Sequence, residues 1–143
     1  MANLTTTFAG IMVRESRWAD APFLACGMSP GIGIFALCRN VPGDALRRTA
    51  VIPYGGSPWF RIRRQDVRYD AEYSLDGQMW LRLATEELLL PGPMQAGLAL
   101  TGGSATAYGG AVFRDVQVVD AVGTQPTTSE LTLPEPTIPI KAP

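Results

Sequence analysis

At 143 residues and 15.4 kDa, with 46% apolar and 17% charged residues, the chain has the size and balance of one globular domain. It holds no histidine and one lysine (Lys141) against eleven arginines, which excludes a His-dependent triad, imidazole metal ligation and the usual Schiff-base or P-loop lysine. A net charge of −1 and a pI near 5.3 leave no electrostatic footprint for nucleic acid or an anionic membrane.

From the N-terminus, residues 1–16 lack a basic stretch followed by a long apolar run. No secretory leader is expected, and synthesis is placed in the cytoplasm, with a virion or another extracellular assembly as the onward location. No apolar run approaches the ~18 residues of a membrane-spanning helix.

Strand-like segments then recur between turn signals, with hardly any helical periodicity. The first spans residues 8–15. Residues 23–28 and 31–39 form a hairpin around Ser29-Pro30-Gly31, and residues 47–52 form another strand before the break at Pro53–Pro58. In residues 59–63 and 67–73 polar and bulky side chains alternate at period two, as in strands with one face on a core and one in water. Ser74-Leu75-Asp76-Gly77 supplies a tight turn, with Gly77 able to take positive φ. Residues 78–84 return as a strand, and residues 85–90 read as a loop with strand character before Pro91-Gly92-Pro93. Residues 94–101 and 105–119 complete about nine short strands, the last with a bulge at Gly109-Gly110. This spacing predicts an all-β fold, an antiparallel β-sandwich or jelly roll over residues 1–121.

From residue 122 the composition changes. Pro126, Pro134, Pro136, Pro139 and Pro143 alternate with Thr, Leu and Ile, which suits an extended arm over residues 122–143. Leu131, Leu133, Ile138 and Ile140 are more apolar than a solvated linker needs, and they are the candidate partner-docking residues of that arm.

A family likeness is carried by Gly10-Ile11-Met12-Val13-Arg14-Glu15-Ser16, Met28-Ser29-Pro30-Gly31-Ile32-Gly33 and Trp59-Phe60-Arg61-Ile62-Arg63-Arg64. It continues through Tyr73-Ser74-Leu75-Asp76-Gly77-Gln78-Met79-Trp80, Ala96-Gly97-Leu98-Ala99-Leu100 and Ala111-Val112-Phe113-Arg114-Asp115-Val116. In that order these segments resemble the bacterial "regulation of enolase protein-like" domains of the concanavalin A-like lectin/glucanase superfamily. The resemblance implies a lectin-like jelly roll, membership in larger secreted proteins as an accessory module, and no general catalytic set. It also implies an N-terminally shortened sandwich, since such domains carry several strands before the Gly10 equivalent. Exposed sheet edge would then need cover from a partner subunit or a neighbour's arm.

Among the residues themselves, Asp70 and Glu72 stand at i,i+2 and share a strand face. They are the one carboxylate pair with the layout of glycoside hydrolysis, and ion pairs with Arg68 and Arg82 are the competing expectation. Trp18 and Tyr54, in loops, are the candidate sugar platforms, with Tyr108 also at a loop or strand end. Trp59 and Trp80 are assigned to the core. Cys26 and Cys38 lie in apolar runs and read as buried free thiols, with a disulfide as the alternative. No metal-binding spacing occurs, and no cofactor is expected. The expected function is a non-enzymatic structural or interaction protein of a multi-subunit assembly, such as a capsid decoration or surface protein. Its partners would be protein subunits, most simply copies of itself. A carbohydrate-binding accessory module is the alternative.

Overall fold

A computed structural model describes residues 7–89, 93–103 and 109–119. By its contacts the chain divides into two units, Met1–Ala111 and Val112–Pro143, and the first carries every strand. Among the described residues there are eight: β1 (Phe8–Arg14), β2 (Phe23–Ser29), β3 (Gly33–Arg39), β4 (Arg47–Arg48), β5 (Trp59–Gln65), β6 (Arg68–Ser74), β7 (Leu81–Glu87) and β8 (Gln95–Thr101). No helix occurs among the described residues.

The fold is all-β, as its alternation predicts: two antiparallel sheets packed face to face as a β-sandwich. The larger has the order β4-β3-β2-β1-β8 and the smaller β5-β6-β7. The inner faces follow from period two. Val13, Leu24, Cys26, Ala36 and Cys38 of the larger sheet meet Tyr69 and Ala71 of the smaller, with Ile11, Phe60, Ile62 and Leu83 packed around them. β5 lies over β1, β6 over β2 and β7 over β3. The larger sheet also has an apolar outer face. There Phe8, Ala25, Phe35 and Leu37 are buried beneath Ile32, Leu46 and Val51, with the Arg48 guanidinium 5.6 Å from the centre of the Phe35 ring.

Turn chemistry sets the registers. The β5–β6 hairpin closes through Asp66, whose φ is 58°. At the β6–β7 turn Gly77 has φ 77°, and its N–H donates to the Ser74 hydroxyl at 2.9 Å. Between β1 and β2, Gly10 faces Gly27. A Cβ on either would overlap the opposing backbone, so the two strands close only because both residues lack one.

Four expectations need correction. β4 is two residues long, where a strand over 47–52 was expected. The Thr49 N–H still donates to the Ala36 carbonyl at 3.0 Å, but the Ala36 N–H donates to the Thr49 hydroxyl at 3.0 Å instead of to main chain, so the regular ladder ends there and an isolated bridge follows at Ile34–Ile52. β7 begins at Leu81 and not at 78, because the Gln78 and Met79 N–H groups are taken by the Asp76 carboxylate. It then runs through Thr85–Glu87, so the strand character of the expected loop over 85–90 prevails there. The Leu88 N–H donates to the Val67 carbonyl at 2.9 Å and Leu88 is buried, so this end is anchored. Residues 109–119 form no strand, so the Gly109-Gly110 bulge has no ladder to sit in. Asp115, at φ 53°, is left-handed and breaks an extended run.

Candidate functional site

The carboxylates come first. Asp70 and Glu72 project from the outer face of the smaller sheet, yet both are buried, because arginine side chains lie across them. Glu72 takes the Arg61 guanidinium at 2.6 Å and the Arg63 Nε at 3.3 Å. Asp70 takes Arg68 at 3.2 Å, Arg82 at 3.5 Å and the Thr85 hydroxyl at 2.6 Å. Burial opposes the ionised form of Asp70, but the Thr85 hydrogen bond and the Arg68 and Arg82 guanidiniums outweigh it, so its carboxyl lies below the ordinary aspartate range. A general acid needs the opposite shift. These groups are arranged as an ion-pair lattice on an open sheet.

The aromatic residues are dispersed. Trp18, in the β1–β2 loop, is 77% exposed. Its loop is held by the Arg14 guanidinium on the Trp18 carbonyl at 2.6 Å and by Arg39 on the Ala19 carbonyl at 2.6 Å. Tyr54 is half-buried and follows Ile52, which pairs with Ile34 at the other end of β3. A seven-residue strand separates the two positions, roughly 20 Å, so they make no common platform. Trp59 and Trp80 are not core residues. Phe60 and Ile62 take the inner positions of β5, which turns Trp59 outward, 42% exposed. Trp80 is half-buried with the Arg61 guanidinium 4.0 Å from its ring centre. Tyr108 and the arm residues Leu131, Leu133, Ile138 and Ile140 lie outside the described residues.

The two cysteines are free and buried on the inner face of neighbouring strands, where Cys26 stands opposite Ala36 and Cys38 opposite Leu24. Burial raises both thiol pKa values, that of Cys38 to about 11, with the adjacent Glu86 adding to the effect.

The lateral sides of the sandwich differ. On the β3–β7 side, Glu86 ties the sheets together: it accepts from Asn40 at 2.9 Å, Arg47 at 2.9 Å and the Cys38 thiol at 3.3 Å. Burial disfavours its charge, and the Asn40 and Arg47 donors reverse that, so its carboxyl lies below the usual glutamate range. On the other side, the larger sheet runs one strand past the smaller, and among the described residues no strand covers β8 as β5 covers β1. Leu98 and Leu100 face inward, opposite Ile11 and Ala9, yet remain 49% and 47% exposed. On its outer face Ala99 packs against the Phe8–Phe35 cluster, and next to its start β8 is tied to the inner core. There the Met94 sulfur accepts from the Tyr69 hydroxyl at 3.2 Å, beside Arg64. A depression lined by Met12, Arg14 and β8 itself runs along this margin. The family likeness implies exposed sheet edge, but neither the Glu86 tie nor the place of the open margin at β8 follows from the sequence. Alternation shows which way Leu98 points, and nothing local shows what lies over it.

No family model, no curated protein and no solved structure matches the chain.

Proposed function

We propose that this chain is a non-enzymatic structural subunit whose β-sandwich is finished by protein from another chain, in a homo-oligomer or a larger assembly such as a capsid-decorating or surface layer. The observation that carries the reading is the margin at β8, where Leu98 and Leu100 face inward and stay about half exposed, with no second layer above them among the described residues. Each leucine gains about 1 kcal/mol when its remaining surface is covered. In this reading the sandwich is a lectin-like jelly roll with a short second sheet, and the arm bearing Leu131, Leu133, Ile138 and Ile140 reaches over a neighbour. The ion-paired state of Asp70 and Glu72 supports a role without catalysis.

The test is light scattering of the full chain together with a variant lacking residues 125–143. Species larger than the 15.4 kDa chain are expected, with weaker association after the deletion. A monodisperse monomer with a well-protected amide core overturns the reading, and unchanged assembly after the deletion removes the arm from it.

A second reading, a carbohydrate-binding module, draws on the exposed Trp59 beside the Arg61–Trp80 stack and on Trp18. Glycan-array binding lost in Trp18→Ala, Tyr54→Ala or Trp59→Ala would raise it above the first.

A further inference from the structure

Each sheet has two edges, and an edge strand offers unpaired N–H and C=O groups to any other strand. Three of the four edges carry devices against such pairing. β4 is only two residues long, and both are arginine. β5 bears Arg61, Arg63 and Arg64. β7 bears Arg82, Glu86 and Glu87, and its pairing with β6 is broken by an irregularity at Ala71/Glu72.

β8 has none of them. Its seven residues, Gln95–Thr101, include no charge and no proline, and they pair with β1 in seven consecutive registers without a bulge. It is long, regular and uncharged, with two half-exposed leucines on its inner face.

Resting on the structural reading above, we propose that β8 is the assembly edge and that its partner is β8 of a second copy, paired antiparallel across a two-fold axis. The two five-stranded sheets then join into one of ten strands. Self-pairing suits this strand in particular. A two-fold contact sets the strand against itself, residue i opposite residue j and j opposite i. On β5 that would bring arginines against arginines, whereas on β8 it brings only Gln, Ala, Gly, Leu and Thr together. Leu98 and Leu100 of both copies then share one apolar strip beyond the β5 edges. Main-chain hydrogen bonds hold the copies together, and the absence of charge permits the approach.

Sedimentation equilibrium of the full chain, from low to high micromolar concentration, tests this with two variants. Leu98→Arg puts a charge into the apolar strip. Gly97→Arg puts one on the opposite face, where an added Cβ has no neighbour within 4 Å, so the substitution itself introduces no backbone clash. The wild type is expected at twice the 15.4 kDa chain mass. Both variants are expected at the chain mass with unchanged circular dichroism, and with β8 amides losing hydrogen-exchange protection. Arg63→Ala, on the β5 edge, should remain dimeric. Association that survives both β8 variants overturns the β8 contact and leaves the structural reading standing. A wild type that stays monomeric at every concentration overturns both.

Discussion

Strands β3 and β8 belong to the same sheet, have seven residues each and are similarly apolar: Gly-Ile-Phe-Ala-Leu-Cys-Arg against Gln-Ala-Gly-Leu-Ala-Leu-Thr. Every residue of β3 but Arg39 is buried, and no residue of β8 is. The contrast comes from what surrounds them. β3 has β2 and β4 beside it, β7 above its inner face, and Leu46 and Val51 across its outer face. β8 has β1 on one side. Burial here is a property of the neighbours, and a strand's own composition says only which burial it would tolerate.

Substitutions can measure that difference directly. The largest effect is expected in β3: Phe35→Ala leaves a cavity at a fully buried site and should cost about 3–5 kcal/mol in urea unfolding. The matching truncation in β8, Leu98→Ala, should cost less than about 1 kcal/mol at dilutions where the chain is monomeric. Equal costs would mean that β8 is covered in solution within a single chain.

Next in size is the closed side of the sandwich. Glu86→Ala removes the acceptor shared by Asn40, Arg47 and Cys38 and should cost about 1–3 kcal/mol. The same carboxylate predicts a pH response. Glu86 and Asp70 have folded-state pKa values below their ordinary 4.5 and 3.8, so the unfolded chain binds protons more readily. Their stabilisation is complete above those ordinary values and is lost as pH falls through the lower, folded ones. Chemical denaturation midpoints should therefore drop below about pH 4, with a shallower drop in Glu86→Gln. A midpoint that rises on acidification would contradict the pairing seen for both groups.

The smallest effects fall on thiols and loops. Cys26 and Cys38 should react with an aromatic disulfide reagent only at the rate of unfolding, since both are buried with raised pKa values. Trp18→Ala should change stability by no more than about 0.5 kcal/mol, because the loop is held through its backbone.

Much of the fold was legible because its signals are local. Alternation in Trp59–Gln65 and Arg68–Ser74 fixes a face for each residue, and Asp76 and Gly77 specify the β6–β7 turn. What stayed hidden depends on partners distant in sequence. Nothing near Thr49 indicates that its hydroxyl will take the Ala36 N–H and cut β4 short. Nothing near Glu86 indicates that Cys38, Asn40 and Arg47 will reach it from the other sheet. Trp59 reads as core because tryptophan usually is, and the strand's phase gives the inner positions to Phe60 and Ile62 instead. An exposed edge was expected from the family likeness, but its place at β8 was the least legible of all. It arises from a mismatch of five strands over three, a count taken over the whole topology.

The Gly10–Gly27 contact has a consequence for how this sequence can vary. Two positions seventeen residues apart each admit a single amino acid, for one shared reason. If the chain were randomised and selected only for folding, both codons should come back as glycine. A compensating exchange is closed off too, since enlarging either residue meets main chain and not a side chain that could be trimmed. Gly97, with open space before its missing Cβ, should accept nearly any replacement in the same selection. If it did not, the restriction would have to come from another molecule.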